Sequence, residues 1–264
     1  SELLQYRFGG QASREALETA EPGGLAGHAI GNLLIAAMTA IEDGDFEEGV
    51  RQVNRVLAVR GRVLPVSPVP LTLHARLRDG TIVDGQSRVG ESTAIERVWV
   101  TPADVRASDD ALAAIAEAEV IVMGPGSLYT SLLPALLVPA VRDAVAASPA
   151  LRIYVCNVAT QHGETAGYDL AAHLEALDAH TVPRLIDVVL ANNQFRARVP
   201  ADWHAEPVRL RWPPALDDPP RLVLDDVVDP DNAHHHDPEH LAVSIMRLVE
   251  RERPRQRAGV ARTA

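Results

Sequence analysis

The sequence contains no lysine, a single cysteine and few aromatic residues. All 25 basic residues are arginine, and 36 acidic residues outweigh them to give a formal net charge of −11. An acidic chain of this kind is a poor partner for nucleic acid or an anionic membrane surface. Any basic contact to a ligand must come from arginine or histidine, and arginine suits bidentate binding of phosphate or carboxylate. With Cys156 alone, an internal disulfide bond is excluded, as is typical of a reducing compartment.

Long apolar runs and targeting signals are also missing. No stretch of about 18 consecutive apolar residues occurs, so no membrane span is expected. The opening residues, Ser1-Glu2-Leu3-Leu4, have no signal-peptide pattern, no methionine and no turn signal. We therefore expect the sequence to begin inside a longer protein. Its 264 residues, 47% of them hydrophobic, are enough for one large domain with an excursion.

The strongest pattern in the chain is a pair of short apolar runs, 120–123 and 151–155. Each leads directly into a polar loop with glycines, at 124–131 and 156–168. Short apolar runs bounded by turn residues predict buried strands. Helical spacing between the runs, over 139–148, completes a strand–helix–strand unit, so the two strands should be parallel neighbours. Both loops then leave the carboxyl ends of adjacent strands, which is the edge of an α/β sheet where ligands bind.

The rest of the chain predicts how this α/β unit is extended. Prolines and alternating polarity over 63–100, with a turn at 78–81, predict a small antiparallel β excursion. A third strand is expected at 186–190 and ends in polar residues that include Asn192. The arginine-rich end, 251–264, is predicted to be a flexible basic tail.

Three residues are predicted to cap the starts of helices. Asp45 precedes a helix with Glu48 three positions on, which is the spacing of a capping box. Ser108 is expected to cap an alanine-rich helix over 109–118. Asp237 followed by Pro238 predicts the start of the last helix.

The first loop offers groups that could bind phosphate or sugar. Glycine allows backbone N–H groups to approach an anion closely, and the hydroxyl groups add donors. The pattern is neither a Walker loop nor Gly-x-Gly-x-x-Gly, and a tight turn that needs glycine is the alternative interpretation. The candidates in this loop are Gly124, Pro125, Gly126, Ser127, Tyr129, Thr130 and Ser131.

The second loop carries several side chains that can donate and accept hydrogen bonds. Glu164 could act as a base, while Thr165 could instead cap the next helix. Cys156 is expected to pack as a small apolar residue, because no base can be assumed beside it. The candidates in this part of the chain are Asn157, Thr160, Gln161, Glu164, Thr165 and, after the third strand, Asn192.

Two further groups of polar residues have competing interpretations. His28 and Asn32 lie four residues apart near the start of a predicted helix, between glycines. A ligand contact and a local role, with His28 as a cap and Asn32 bonded to a loop, are equally supported. The run 234–236 consists of three histidines, but consecutive residues do not share one face of a regular element. A solvated turn is favoured there, and no metal site is predicted.

Taken together, the motifs resemble the gluconeogenesis factor family, which belongs to the CofD-like superfamily with 2-phospho-L-lactate transferase. The two long motifs are Gly-Pro-Gly-Ser-Leu-Tyr-Thr-Ser at 124–131 and Thr-Gln-His-Gly-Glu-Thr-Ala-Gly-Tyr at 160–168. Shorter matches lie at 4–8, 27–34, 58–65, 137–139, 155–157 and 236–238. The resemblance implies a cytoplasmic protein of Rossmann-like α/β fold, here a three-layer parallel sheet with the small antiparallel β excursion. It also implies a UDP-sugar ligand and a part in cell shape and cell-wall synthesis during growth on gluconeogenic carbon sources.

The sequence departs from that family at two places. The family's opening glycine-rich strand and loop, and its Asp-Asp-Gly-Gly-Ser-Ser segment, have no counterpart here and would precede Ser1. His162 stands where the family usually has proline, and Val158-Ala159 stand where it has Leu-Met. The predicted organisation is therefore a single CofD-like α/β domain over 1–264 that lacks the family's N-terminal glycine-rich segment.

Three hypotheses on function remain open. The first is a regulatory nucleotide-sugar-binding protein without an established reaction, whose partners could include cell-wall synthesis proteins. The second is a metal-dependent transferase of the 2-phospho-L-lactate type, using Mg²⁺. The two loops contain few acids, and Glu164 alone would be a poor Mg²⁺ site. The third is an interaction protein whose polar loops are only turns. Homo-oligomerisation is compatible with all three.

Overall fold

A computed structural model describes residues 30–57, 61–195, 204–212 and 219–260, with side chains of the last helix described as far as Glu252. The chain divides into two compact units, Ser1–Val69 and Pro70–Ala264. In the first unit, helix α1 spans Ile30–Ile41 and helix α2 spans Phe46–Val56. The predicted cap of α2 is confirmed, because the Asp45 carboxylate accepts a hydrogen bond of 2.9 Å from the Glu48 N–H.

The second unit begins with the small antiparallel sheet that the sequence predicts. Its strands are β1 at Thr72–Leu77, β2 at Ile82–Asp84 and β3 at Ile95–Thr101, in the order β2-β1-β3. Both pairings are antiparallel, and the predicted turn at 78–81 joins β1 to β2. A short helix, α3 at Gln86–Glu91, lies between β2 and β3.

The larger sheet of this unit is parallel throughout, as predicted. Its strands are β4 at Val120–Met123, β5 at Leu151–Val155, β6 at Val188–Asn192 and β7 at Arg221–Asp225, in the order β4-β5-β6-β7. The inner strands β5 and β6 are almost wholly buried, because helices cover parallel sheets on both faces. The helices of this part are α4 (Asp109–Glu117), α5 (Leu133–Leu136), α6 (Pro139–Ala147), α7 (Leu170–His180) and α8 (Pro238–Val260).

The main core lies between the two inner strands and α8. Leu151, Ile153 and Val155 of β5 pack with β6 and with Leu248 and Val249 of α8. Each buried aliphatic side chain contributes about 1.5–3 kcal/mol. A second apolar cluster forms where the segments after β5 and β7 meet, so the carboxyl edge of the sheet has its own packing. Its members are Val158, Val227, Val228 and Ala233.

Polar side chains link the small sheet to the elements around the large one. His180, at the end of α7, accepts a hydrogen bond of 2.9 Å from the Val98 N–H of β3. Its Nδ1–H donates to the Ala176 carbonyl at 2.7 Å, so the ring is a neutral imidazole with both nitrogens bonded. Gln86 of α3 donates to the Thr130 carbonyl at 3.1 Å.

The starts of two later helices test the remaining cap predictions. Asp237 is confirmed as the cap of α8, since its carboxylate accepts from the Glu239 and His240 N–H groups at 2.9 Å. Ser108 occupies the N-cap position of α4, as predicted. Its hydroxyl makes no capping bond and is buried without a hydrogen-bond partner among the described residues. The first turn of α4 carries two acids, Asp109 and Asp110, whose charges stabilise the positive end of the helix.

Two segments bear on the predictions for the chain end and the membrane. Residues 251–260, predicted as part of a flexible tail, continue α8 as helix, and 261–264 lie outside the described residues. Across the described ranges, no helix is by itself long and apolar enough to cross a membrane. Only the bent pair Leu128–Leu136 with Pro139–Ala147 reaches that length and composition, when its two parts are counted together.

Candidate functional site

The two polar loops lie together at one edge of the parallel sheet. They leave the adjacent strands β4 and β5 at Met123 and Val155, and β4 and β5 are paired up to Met123 and Tyr154. The Gly126 N–H donates to the Asn157 side-chain oxygen at 3.2 Å, and the Asn157 amide donates back to the Gly126 carbonyl at 3.0 Å. These two loops, 124–131 and 156–168, are called the paired loops below. Their predicted convergence is what the structure shows.

The first of the paired loops ends in a turn of π-helix, Leu128–Leu132, which leads into α5. The Ser127 carbonyl accepts hydrogen bonds from both the Ser131 and Leu132 N–H groups, each at 3.0 Å. Single π-helical turns are rare and are frequent at functional sites. The sequence gives no sign of this turn, because its composition is that of an ordinary helix start.

Glu164, from the second loop, caps this turn from outside. Its carboxylate accepts hydrogen bonds from the Tyr129 N–H at 2.8 Å, from the Thr130 N–H at 3.3 Å and from the Thr130 hydroxyl. Both N–H groups belong to a first helical turn, where no intrahelical acceptor exists and an anion is stabilised. Burial raises the pKa of Glu164, and the three donors, which favour the ionised carboxylate, oppose that shift. The protein's own carboxylate thus satisfies the N–H groups at the start of this turn.

The threonines of the paired loops are also engaged inside the protein. Thr160 accepts from the Glu206 N–H and Thr165 accepts from the Gln161 N–H, both at 2.9 Å. Thr165 therefore does not cap α7. Asp169 does, by accepting from the Ala172 N–H at 2.9 Å.

Tyr129 is buried as well. Its hydroxyl lies 3.0 Å from the Tyr168 hydroxyl, and burial raises its pKa. Together with Glu164 and the threonines, Tyr129 makes up the inner side of the paired loops.

Other members of the paired loops face solvent. Pro125, Gly126 and Ser131 are exposed. The half-buried members are Gly124, Ser127, Asn157 and Gln161. The Gln161 amide donates to the Ser127 hydroxyl at 2.8 Å, while its carbonyl oxygen is buried and has no hydrogen-bond partner among the described residues. The accessible side of the paired loops is therefore mainly polar and contains no Asp, Glu or Arg side chain.

The two glycines of the first loop have different roles. Gly124 has a φ of +84°, and a Cβ there would lie 2.8 Å from the Val155 carbonyl oxygen, so only glycine fits. At Gly126 the φ is not positive, and the nearest atom to an added Cβ would be the Ser131 Cβ at 3.8 Å. The backbone at Gly126 is thus open to an approaching group.

The other three predicted ligand contacts belong to parts of the chain outside the paired loops. Asn192 is buried at the end of β6, where its oxygen accepts from the Val227 N–H at 3.3 Å and its amide donates to the Gln194 carbonyl. Asn32 is exposed on α1, in the first unit. His28 lies outside the described residues.

The cysteine and the histidine run serve the structure near the second loop. Cys156 is buried as predicted, and burial raises the pKa of its thiol to about 12, which favours the protonated thiol over the nucleophilic thiolate. His236 donates from Nε2 to the Cys156 carbonyl at 3.2 Å, which ties the start of the second loop to the segment before α8. Within the described residues, no group of three or more His, Cys, Asp or Glu side chains is arranged to hold a metal ion.

Comparisons with known proteins identify the family. Residues 1–210 match the family model of 2-phospho-L-lactate transferase CofD. A gluconeogenesis factor of Halalkalibacterium halodurans is 47% identical over 172 residues, which are 65% of this chain and 53% of that protein. A gluconeogenesis factor of Bacillus subtilis is 45% identical over 171 residues, 64% of this chain and 54% of that protein. The chain thus spans about half the length of these two relatives.

A longer match and a crystal structure give the same result. A protein assigned to the gluconeogenesis factors in Thermoanaerobacterium thermosulfurigenes is 38% identical over 259 residues, 94% of this chain and 76% of that protein. The crystal structure of a UPF0052 family member from Bacillus halodurans superposes with a TM-score of 0.75 at 37% identity, covering 93% of this chain and 76% of that one. The chain therefore belongs to the CofD family and, within it, to the gluconeogenesis factors.

Proposed function

We propose that this chain binds a nucleotide sugar, of the UDP-sugar class, on the accessible side of the paired loops. In this proposal it is a cytoplasmic regulatory protein that acts by binding, in cell shape and cell-wall synthesis during gluconeogenic growth. The observation that carries the proposal is the joined pair of loops at the carboxyl ends of β4 and β5, which is where α/β sheets bind ligands. The names of the relatives support the metabolic setting.

The chemistry of the accessible groups favours the sugar part of such a ligand. Ser131 is exposed, and the half-buried residues beside it are Ser127, Asn157 and Gln161. Neutral hydroxyl and amide groups match sugar hydroxyls, which both donate and accept hydrogen bonds.

The carboxylates that cap the helical segments after the paired loops limit where the phosphates of the ligand can lie. Each loop leads into a helical segment, and the N-terminal N–H groups of both segments already bind a carboxylate of the protein, from Glu164 and Asp169 respectively. An incoming phosphate would be repelled by these anions rather than held by the helix ends. The phosphates are therefore expected to meet residues outside the paired loops.

The alternative is a metal-dependent enzyme like 2-phospho-L-lactate transferase, which the match to the CofD family model favours. The described residues of the paired loops do not fit a Mg²⁺ site. Mg²⁺ is bound through carboxylates, and the single acid of these loops, Glu164, already accepts three hydrogen bonds. Transfer of a phospholactyl group to a deazaflavin in the presence of Mg²⁺, by the purified protein, would establish this alternative.

Titration of the full-length protein with UDP-glucose and UDP-N-acetylglucosamine tests binding. A ligand that binds only the folded state raises the unfolding temperature, increasingly so at concentrations above its dissociation constant. Absence of any shift at about 1 mM of either ligand would overturn the proposal.

Variants place the ligand on the paired loops. In Gly126→Ala the added methyl group meets no atom closer than 3.8 Å, so the free protein should unfold as before. The same methyl group covers the open backbone and should reduce the ligand-induced shift. Ser131→Ala should also weaken binding, by about fivefold for one lost neutral hydrogen bond. Ser87→Ala, at an exposed serine of α3, is the matched control. Equal ligand affinity for all of these variants would show that the ligand binds elsewhere.

A further inference from the structure

The outer edge of β7 is open in the part of the chain that the structure describes. The sheet order ends at β7, and no described strand pairs with its outer side. The Arg221 N–H donates inward to the Asp187 carbonyl, and the Asp225 carbonyl accepts inward from the Asn193 N–H, both at 3.0 Å. Because backbone groups alternate along a strand, Leu222 and Leu224 direct their N–H and C=O groups outward. This edge therefore presents four hydrogen-bonding groups that a further strand could use.

A groove of about 220 Å³ runs along this edge between β7 and α8. Helix α8 runs antiparallel to β7, since Arg221 pairs with Glu252 at 2.6 Å and Asp225 accepts from the Ser244 hydroxyl at 2.7 Å. The two ends of the groove differ in charge.

The basic end of the groove contains Arg221 and Arg251, with Glu252 the acid that pairs there, and Arg247 lies between Ser244 and Arg251 along α8. The other end contains Asp225, followed in the chain by the exposed Asp226.

We propose that a second copy of this chain docks antiparallel along β7, with Val223 on the twofold axis. The sequence Arg221-Leu222-Val223-Leu224-Asp225 is basic at one end, apolar in the middle and acidic at the other. A twofold interface needs a patch that is complementary to itself, and this strand has that property. The basic end of each groove then lies against the acidic end of the other.

The backbone geometry agrees with this register. With Val223 opposite itself, Leu222 lies opposite Leu224 of the other copy, and these are the residues whose backbone groups face outward. In an antiparallel ladder such a pair exchanges both of its hydrogen bonds. Arg221 lies opposite Asp225 of the other copy, with both side chains on the face that α8 covers. A shift of two residues in either direction keeps the backbone hydrogen bonds. It places Arg221 opposite Val223 or opposite Val227 of the other copy instead of Asp225, so both ion pairs are lost.

The apolar contacts also favour a copy of the chain over other occupants. Leu224 is 44% exposed, and on the outer side of α8 Val243 and Met246 are 45% and 58% exposed. In the proposed register Leu224 is covered by Leu222 of the other copy. An acidic peptide added to the same edge would meet the arginines at one end but would be repelled by Asp225 and Asp226 at the other. The match in both apolar and charged positions identifies the second copy as the occupant.

Sedimentation velocity of the full-length protein over a range of concentrations tests the proposal. The wild type is expected to form a dimer. Arg221→Glu and Asp225→Arg should each weaken association by about tenfold or more, because each turns two ion pairs of the dimer into two repulsions. An equimolar mixture of the two variants should recover the dimer. In the mixed dimer Glu at 221 faces Arg at 225, and the native Asp225 faces the native Arg221.

The recovery separates the interface from folding, since Arg221 and Asp225 also have partners inside the chain. Arg106→Glu, at an exposed arginine that pairs with Asp109, is the matched control and should associate like the wild type. Leu224→Pro removes an outward N–H without breaking the ladder to β6, and it should also give a monomer. A monomeric wild type, single variants that dimerise normally, or a mixture that stays monomeric would each overturn the proposal.

Discussion

Replacing Glu164 with alanine removes the side chain that joins the two loops most directly. The change leaves the N–H groups of Tyr129 and Thr130 without an acceptor in a place where Glu164 itself is only 4% exposed. A buried donor left unsatisfied costs about 1–3 kcal/mol. The Thr130 hydroxyl can rotate to a new partner, and losing the buried charge returns part of the cost. We therefore expect Glu164→Ala to lower the free energy of unfolding by about 3 kcal/mol.

Glu164→Gln separates the shape of this side chain from its charge. The amide oxygen can still accept from both N–H groups, and the amide nitrogen can donate to the Thr130 hydroxyl. Only the gain from a charged acceptor is lost, so the expected loss is about 1 kcal/mol. Partial retention of stability by glutamine would show that the geometry of the carboxylate, and not only its charge, holds the paired loops.

Urea unfolding followed by circular dichroism measures both losses. Glu175→Ala, at an exposed position of α7, is the matched control and should change stability by no more than about 0.5 kcal/mol. An alanine variant as stable as the wild type, or a glutamine variant as unstable as alanine, would refute the reasoning from satisfied hydrogen bonds.

Two further predictions concern a glycine pair and a histidine. Gly163 and Gly167 both have positive φ, but an added Cβ would lie 2.4 Å from the Gly90 carbonyl oxygen at Gly163 and would meet nothing within 4 Å at Gly167. Gly163→Ala should therefore destabilise by several kcal/mol and Gly167→Ala by about 1 kcal/mol, as measured by urea unfolding. Burial lowers the pKa of His180. Below about pH 6.5 this histidine is therefore protonated in the unfolded state while it is still neutral in the folded state. Stability should be complete above that pH and fall as the pH decreases, by up to about 1.4 kcal/mol per pH unit.

Each of these predictions has its own control. Equal destabilisation by the two glycine substitutions would show that backbone strain, rather than the close approach to Gly90, decides the cost. His180→Gln should reduce the loss of stability at low pH by the contribution of this one histidine, because burial also lowers the pKa of His173. A pH profile that His180→Gln does not alter would mean that other buried groups dominate the proton linkage.

The architecture of the second unit follows from local signals in the sequence. The apolar runs at 120–123 and 151–155 form parallel strands, and the alternation and turn around 78–81 form the small sheet, because pattern and turn chemistry agree at these places. The convergence of the paired loops follows from the topology alone. The family resemblance adds the same fold from the motifs, and the comparisons confirm it.

The internal partners of the site residues could not be predicted from sequence. Glu164 and Thr130 lie 34 positions apart in the chain, and nothing local shows that one completes the hydrogen bonds of the other. Asn192 is predicted as a ligand contact because it ends a strand. In the structure its side-chain oxygen accepts a hydrogen bond from the Val227 N–H, 35 positions away, and the sequence does not indicate that contact. Ser108 fits the cap preference and occupies the N-cap position, yet its hydroxyl makes no capping hydrogen bond. Such contacts depend on tertiary packing, which overrides propensity.

The shared carboxylate at the edge of the sheet also determines how this region can open. The Glu164 carboxylate accepts hydrogen bonds from the N–H groups of both Tyr129 and Thr130. Neither amide hydrogen can therefore exchange with solvent until Glu164 moves away from both. Their exchange with deuterium should then give the same free energy of opening, set by one event that frees both loops together. The two loops therefore form one cooperative unit, so disorder in one loop would spread to the other.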